Sequence, residues 1–200
     1  MTNRIHLAYH WHGDVATWKK RLAVIKAGDI VVFNPSNGPI PDDPAELANC
    51  RQLISQVRDR AAAVLGYIHL AYGDRSWADV FSDLKVWQEY GVYRHFFDEA
   101  PSEMNKFWER RLVGAINPSP YNGVKGVFNL GTAPLNGWAP DIGNLAVTWE
   151  GRSVDFPTRT WKSWEAAIAY GVPEPLGRRS DGPLWQAWTS DDLPNPYDSV

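Results

Sequence analysis

Two kinds of apolar pattern alternate along the first half of the chain. Short, almost wholly apolar runs predict strands, and each is followed by a segment whose apolar residues recur at helical spacing. Strands are predicted at Ile5–His12, Asp29–Phe33, Ala62–Leu70 and Val92–Phe97, and helices at Val15–Ala27, Asp43–Arg60, the segment after Ser76, and Ser102–Leu112. Strands that alternate with helices indicate βαβ units and a parallel sheet.

The pattern is less regular from Asn117 onward, where four prolines between Pro118 and Pro140 interrupt it and helix signals are few. Three more strands and one helix are predicted here: strands at Gly126–Asn129, Leu145–Trp149 and Leu184–Thr189, and a helix at Trp161–Tyr170. An eighth strand is placed within Val154–Trp164. We therefore predict one α/β domain over residues 1–200, a small (β/α)8 barrel of the TIM type. Its second half is irregular, and the pattern leaves open whether the barrel closes.

Composition fits an ordinary globular protein and excludes several classes of function. The chain has 200 residues, enough for one core, and its net charge of −3 gives no electrostatic case for nucleic acid binding. No apolar run approaches the roughly 18 residues that suggest a membrane span. The first residues contain no apolar leader, which leaves a cytoplasmic, phage-borne or otherwise exported protein as alternatives.

Tryptophan is unusually frequent, with 11 in the chain. A flat indole ring often stacks on the C–H groups of a sugar while its N–H bonds outward, although core packing would account for most of these residues. Aromatic residues close to predicted strand ends are therefore candidates for sugar contacts: Tyr9, Tyr67 and Trp138.

Acidic residues stand where two predicted strands stop. Asp98 and Glu99 follow the aromatic run of the fourth strand, and Glu150 ends the run Leu145-Ala-Val-Thr-Trp-Glu150. In a parallel barrel the carboxyl ends of the strands meet at one mouth, where ligand sites lie. An ionised acid at the edge of an apolar element costs free energy unless it is paired with a cation or solvated, or it is retained for a function. We therefore interpret these three residues as candidate catalytic carboxylates.

Paired carboxylates are what glycosidic cleavage requires, one to protonate the leaving oxygen and one to attack carbon or activate water. Adjacent residues of a strand point to opposite faces. Asp98 and Glu99 can therefore share a pocket only if the strand ends between them, and the alternative is that one of them caps the following helix. The other residues at strand ends include no lysine-rich or glycine-rich phosphate cradle, which favours a neutral, polyhydroxylated ligand.

Two other chemistries fit the sequence less well. His10 and His12 form a His-x-His pair at the end of the first predicted strand, as in metal-dependent amidohydrolases. No histidine follows His95, so the later ligands of such a site are missing. Acyl transfer lacks a Gly-x-Ser-x-Gly turn, and the single cysteine, Cys50, lies in a helical pattern typical of a packed thiol. We predict no metal and no cofactor, and keep the metal hydrolase as an alternative.

An ordered series of short motifs covers nearly the whole chain. They are Val31-Val-Phe-Asn-Pro-Ser-Asn-Gly-Pro39, Leu65-Gly-Tyr-Ile-His-Leu-Ala-Tyr-Gly-Asp-Arg75, Phe96-Phe-Asp-Glu99, Phe128-Asn-Leu-Gly-Thr132, Val147-Thr-Trp-Glu150 and Trp188-Thr-Ser-Asp-Asp-Leu-Pro-Asn-Pro-Tyr197. In their order and spacing these motifs resemble the spherulin-type family, spherulation-specific family four.

The resemblance implies a (β/α) barrel and a glycoside hydrolase, because characterised relatives cleave α-1,4-linked galactosamine-containing polysaccharide at its internal linkages. It implies that the essential acids are Asp98, Glu99 and Glu150. It also implies a groove lined by Asn34, Tyr72, Arg75 and Asn129.

The residues themselves leave alternatives open at these positions. Arg75 could equally be a surface arginine that pairs with Asp79, and Asn34 and Asn129 would be expected in turn loops without any ligand. Leu130 stands where the family usually has proline, which leaves the substrate open. A cell-wall or capsular glycan, attacked by an actinobacterial or phage-borne enzyme, fits as well as a biofilm polysaccharide.

Two classes of function are therefore carried forward with a polysaccharide or oligosaccharide as partner. The first is a hydrolase, in which one of Asp98 and Glu150 is the nucleophile or base and the other is the acid, while Glu99 tunes the pair or holds the sugar. The alternative is a non-catalytic glycan-binding domain of the phage-tail or adhesin type, which would use the same groove.

Overall fold

Eight parallel strands form a closed barrel in which each strand pairs with the next along the chain and the last returns to the first. The computed structural model describes residues 3–9, 13–40, 44–60, 62–116, 124–135, 138, 144–171, 180 and 182–188. The strands are β1 (Asn3–Ala8), β2 (Ile30–Phe33), β3 (Ala63–His69), β4 (His95–Asp98), β5 (Gly126–Asn129), β6 (Asn144–Arg152), β7 (Glu165–Tyr170) and β8 (Trp185–Trp188).

Four α-helices with described bounds precede residue 117. They are α1 (Val15–Val24), α2 (Pro44–Arg58), α3 (Trp77–Glu89) and α4 (Lys106–Ile116). Between β6 and β7 the connection contains only a short 3-10 helix, Ser153–Asp155. The predicted (β/α)8 barrel with a regular first half is thus confirmed, and the barrel closes despite its shortened second half.

One element of the second half was predicted wrongly. Residues Trp161–Tyr170 were expected to form a helix, and the eighth strand was placed before them. The structure instead has β7 at Glu165–Tyr170, paired with both β6 and β8. Three of its alanines, Ala166, Ala167 and Ala169, are almost fully buried, so tertiary packing overrides the high helix propensity of alanine.

Side chains alternate between the inside of the barrel and the layer beneath the helices, as the pleat of a strand requires. On β4, for example, Phe96 belongs to the inner cluster and Phe97 to the outer one. Gly66 of β3 shows how close the outer layer packs, because a Cβ there would lie 2.4 Å from the indole of Trp87 in α3. The same indole N–H donates to the Tyr67 carbonyl at 2.8 Å. Helix α3 is thereby fixed against the strand that carries Tyr67.

The helix starts adjoin the carboxyl ends of the strands and so shape the mouth. Ser76 caps α3 by accepting from the Asp79 N–H, as predicted. Helix α4 was expected to begin at Ser102, but it begins four residues later. The Asn105 side chain accepts there from the N–H groups of Phe107 and Trp108.

Among the described residues, no helix combines the length and the apolar character needed to cross a bilayer. Cys50 is buried in α2 and packs in the outer core, as its place in the helical pattern predicted.

Candidate active site

Four neighbouring strands bring polar side chains into the mouth of the barrel. Tyr67 of β3, Asp98 of β4, Asn129 of β5 and Glu150 of β6 are joined by hydrogen bonds to one another. Below them the interior is closed by apolar side chains of the inner cluster, such as Leu65, which is fully buried. The predicted gathering of distant polar residues at the carboxyl ends of the strands is therefore present in the structure.

Three donors form hydrogen bonds to the Asp98 carboxylate. Its Oδ2 accepts from the Tyr67 hydroxyl at 2.7 Å, and its Oδ1 accepts from the Asn129 amide at 2.8 Å and from the Glu99 N–H at 3.0 Å. The residue is nevertheless only partly buried. Three donors thus orient a carboxylate that solvent can still reach from the mouth.

Asn129 links the acids of two different strands. Its amide nitrogen donates to Asp98 Oδ1 and to Glu150 Oε2, each at 2.8 Å. Since both oxygens lie at that distance from one nitrogen, they can be at most about 5.6 Å apart, which is twice 2.8 Å. The side-chain oxygen of Asn129, Oδ1, in turn accepts from the Gly131 N–H at 3.2 Å, which fixes which end of the amide faces the acids.

Partial burial and neighbouring acids shift the pKa values of the groups at the mouth. Desolvation raises the pKa of Asp98, and the neighbouring Glu99 raises it further, although the three donors act in the opposite direction. Burial and the charge of Asp98 raise the pKa of Tyr67, with smaller contributions from Glu99 and Glu150. The phenol of Tyr67 therefore stays protonated at neutral pH and donates a hydrogen bond to Asp98.

The strand that carries Asp98 ends at that residue, which meets the condition under which both adjacent acids can face the site. Glu99 follows with a left-handed backbone, at φ +49°. Its Oε2 lies 2.7 Å from Nε2 of His69, and its side chain is 40% exposed. Neither acid caps α4, because Asn105 does so. The position of His69 beside Glu99 was not anticipated from the sequence.

A strained turn continues the rim next to Glu99. Ala71 and Tyr72 both have positive φ, at 47° and 53°, and the Tyr72 N–H donates to the Glu99 carbonyl at 2.7 Å. The Tyr72 ring is 66% exposed. Strained non-glycine residues concentrate at functional sites, where the surrounding structure holds them in place. A large exposed ring in such a turn is well placed to contact a ligand.

Glu150 reaches the mouth through an irregularity in β6. It was expected to end its strand, but β6 continues to Arg152. The register between β6 and β7 shifts between Val147 and Trp149, which is a β-bulge. Bulges re-aim side chains beside active sites, and this one leaves Glu150 turned toward Asn129.

The remaining lining candidates occupy different parts of the rim. Tyr9, which follows β1, packs edge-on against Tyr67 with ring centroids 5.4 Å apart. Asn34 is buried, and its side-chain oxygen accepts from the Gly38 N–H at 2.8 Å, so it closes the loop after β2. These contacts leave the predicted sugar-binding role of Tyr9 and Asn34 a prediction.

Arg75 is held by protein groups. Its guanidinium pairs with Asp83 of α3 at 2.7 Å and donates to the His69 carbonyl at 3.0 Å. The carboxylate that pairs with Arg75 is therefore that of Asp83 and not that of Asp79, the partner considered from the sequence. Arg75 joins the strained turn to α3, and a direct contact with ligand remains only a prediction.

Trp138, the remaining aromatic candidate for a sugar contact, packs against the outer core. Its ring packs edge-on against Phe128 in the outer core, with centroids 5.0 Å apart, and the residue is only 7% exposed. Its indole N–H donates to the Ser102 carbonyl at 3.2 Å. Because Phe128 points away from the barrel interior, Trp138 packs in the outer core, and its predicted contact with a sugar stays a prediction.

Among the residues that the structure describes, no group of three or more His, Cys, Asp or Glu side chains is arranged to hold a metal ion. The predicted alternative site at His10 and His12 lies outside the described residues. Of the other histidines, His6 bonds to Asp29 at 3.0 Å and His95 is fully buried in the outer layer.

The fold and the mouth together define a small TIM-type barrel protein with an acidic site at the carboxyl ends of its strands. The chain belongs to spherulation-specific family 4, whose model matches residues 5–180. It is 25% identical to Spherulin-4 of Physarum polycephalum over 136 residues, which is 66% of this chain and 40% of that protein. The chain therefore corresponds to less than half of that relative's length.

A solved structure shares the fold. The crystal structure of Aspergillus clavatus Sph3 in complex with GalNAc superposes with a TM-score of 0.73, at 17% sequence identity. The superposition covers 100% of this chain and 92% of that one. The barrel is thus the same architecture, independently of the family assignment.

Proposed function

We propose that the protein is a glycoside hydrolase that cleaves a polysaccharide with Asp98 and Glu150 as its catalytic pair. The observation that carries this proposal is the single amide of Asn129 that holds both carboxylates, from different strands, at the mouth of the barrel. Catalysis of glycosidic cleavage needs two such acids on one sugar-sized site. Family membership supports the same class of reaction.

Asp98 is the nucleophile in this proposal. Tyr67, Asn129 and the Glu99 N–H all donate hydrogen bonds to its oxygens. These donors favour the ionised form of the carboxylate and fix its direction. The carboxylate attacks the anomeric carbon as the bond to the leaving oxygen breaks, and Glu150 gives that oxygen a proton. The sugar is then held as an ester of Asp98.

Glu150 completes the cycle as a base. It takes a proton from water, the resulting hydroxide adds to the anomeric carbon, and the Asp98 carboxylate leaves. Glu99 is paired with His69 at the rim, where it raises the pKa of Asp98 and can bind a sugar hydroxyl. Tyr9, Asn34, Tyr67, Tyr72, Arg75 and Asn129 are proposed to line or support this groove.

The separation of the acids supports a retaining reaction. Retaining enzymes hold their carboxyls about 5–5.5 Å apart, and inverting enzymes about 6.5–9.5 Å, to leave room for water. The two oxygens that share the Asn129 amide, Asp98 Oδ1 and Glu150 Oε2, are at most about 5.6 Å apart, and this close approach favours the first class. If the substrate is an α-linked 2-acetamido sugar, its own amide is cis to the leaving group and cannot attack from the back. An enzyme carboxylate must then do so.

A glycan containing galactosamine or N-acetylgalactosamine, α-1,4-linked, is the proposed substrate. The structurally similar Sph3 was crystallised with GalNAc, and the mouth offers acids, an amide and the exposed Tyr72, which suit a polyhydroxylated ligand. Cell-wall and capsular polysaccharides remain the other candidates within this class.

The test is the release of new reducing ends from a panel of galactosamine-rich, arabinogalactan and capsular polysaccharides. We expect the wild type to cleave one member, and Asp98→Asn and Glu150→Gln to abolish cleavage while still sedimenting with that glycan. Binding by the wild type without any new reducing ends would instead establish the non-catalytic glycan-binding domain.

A further inference from the structure

If β6 were a regular strand, the side chain of Glu150 would point out of the barrel and not into its mouth. Leu145 and Val147 of β6 face the barrel interior, and strict alternation would then place Trp149 inside and Glu150 outside. The pairing with β7 shows how this is avoided. Val147 is opposite Ala166 and Trp149 is opposite Ala167, so Thr148 is an extra residue without a partner. One inserted residue restores Glu150 to the inner face, opposite Ile168.

The outer face at this point is built to receive two consecutive side chains. Trp149 packs outward against Phe156, with ring centroids 4.9 Å apart. Its ring also lies across Gly151, where a Cβ would come within 2.8 Å of the indole. Glycine at this position therefore leaves room for the outward ring of Trp149.

Thr148, the extra residue, is held by an ionic network in which Thr148 and Glu165 are buried and Arg159 is exposed. Its hydroxyl donates to Glu165 Oε1 at 2.8 Å and accepts from the Arg159 guanidinium at 2.9 Å. Arg159 also donates to the same Glu165 oxygen at 2.9 Å, which closes a three-membered ring of contacts. The other oxygen of Glu165 accepts from the Lys162 N–H at 2.6 Å. Thr148 and Glu165 are 5% and 3% exposed.

Such a network is costly to bury unless every member is satisfied, and here it is placed where the strand departs from regular pairing. We infer that Thr148, Glu165 and Arg159 are positioning residues that hold the β6 bulge and thereby aim Glu150 at the sugar. The catalytic part of this inference rests on the function proposed above.

The inference is tested by separating the hydroxyl of Thr148 from its shape. Thr148→Val keeps the branched shape and loses both hydrogen bonds, whereas Thr148→Ser keeps the hydroxyl. A misplacement of about 1 Å can cost a catalytic group about 100-fold in rate. We expect Thr148→Val and Glu165→Gln to lower kcat by about 10- to 100-fold with little change in KM. Thr148→Ser should stay close to the wild type.

A matched control separates positioning from stability. Asp29 is 4% exposed, makes three hydrogen bonds and stands directly before β2, as Glu165 stands at the start of β7. Asp29→Asn should lower the melting temperature as Glu165→Gln does, yet leave kcat unchanged. If Thr148→Val and Glu165→Gln retain the kcat of Asp29→Asn, the positioning role is wrong.

Crystal structures of Thr148→Val and Thr148→Ser give a readout that does not require activity. We expect the contact between Glu150 Oε2 and the Asn129 amide, 2.8 Å in the wild type, to be lost in the valine variant and kept in the serine variant. An unmoved Glu150 in the valine variant would overturn the inference whatever the enzyme assay gives. A wild type without activity would refute the proposed function, and the crystal structures would still decide the role of the bulge.

Discussion

Two aspartates at opposite ends of the barrel each make three hydrogen bonds, yet their pKa values move in opposite directions. Asp29 lies at the end away from the mouth, where it accepts from the N–H groups of Arg4 and Lys26 and bonds to the imidazole of His6. Burial alone would raise the pKa of Asp29, but these hydrogen bonds outweigh burial and lower it. At the mouth, desolvation prevails and the pKa of Asp98 is raised.

The difference lies in the neighbours of the two carboxylates. Asp29 faces a histidine and backbone donors, so its charge stabilises the fold. Asp98 is beside Glu99 and near Glu150, so its charge is held at a cost that the fold must offset elsewhere. Perturbed acids of the second kind are typical of functional sites. The comparison therefore separates an acid that serves stability from one that is available for chemistry.

The largest expected effect is that of Asp98→Asn on activity. Loss of a nucleophilic carboxylate should lower kcat by about a thousandfold or more. At pH values above the folded-state pKa of Asp98, the melting temperature of the variant should equal or exceed that of the wild type. The reason is that a raised pKa means that folding disfavours the ionised acid. Thermal melts and rates on the same preparation check both; a large loss of stability would contradict the comparison.

Asp29→Asn should show the converse behaviour. Its amide cannot accept all three hydrogen bonds, and we expect a loss of about 1–3 kcal/mol in the free energy of unfolding. Because the pKa of Asp29 is lowered, this contribution is fully present above its ordinary value of 3.8 and disappears as the pH falls through the folded-state pKa. Denaturant titrations of both proteins at neutral and acid pH measure it, and a pH-independent difference would contradict this account.

A smaller effect is expected from Tyr67→Phe. The variant removes the hydroxyl that donates to Asp98 at 2.7 Å, a contact that favours the ionised acid. The pKa of Asp98 should rise further, so the acid limb of the pH–kcat profile should move to higher pH. At the pH optimum we expect a loss of about tenfold at most. A limb that moves to lower pH, or does not move, would show that Asp98 is not the group that must be ionised.

The parts of the molecule that could be predicted from sequence are those in which local pattern and tertiary packing agree. The apolar runs that became β2 and β5 predict strands and nothing else. The gathering of the acids at strand ends follows from barrel geometry. The segment Glu165-Ala-Ala-Ile-Ala-Tyr170 misleads because alanine favours a helix in isolation, whereas this site in the barrel needs small buried side chains on a strand.

The orientation of Glu150 was out of reach of the sequence for a different reason. Alternation counted from Leu145 directs Trp149, not Glu150, into the barrel, and only the extra residue Thr148 reverses this. A bulge depends on the partner strand and on distant groups such as Arg159, which leave no local signal. The packing of Trp138 was also out of reach, since the sequence does not show whether an aromatic residue fills the outer core or lines the mouth.

The most direct measurement of the central claim, that Asp98 and Glu150 act as one closely spaced pair, is NMR of the anomeric proton in the first product formed from an α-linked glycan. The separation of at most about 5.6 Å between their bound oxygens predicts that the α-anomer is released first and only later equilibrates. Initial release of the β-anomer would contradict the assignment of Asp98 as nucleophile.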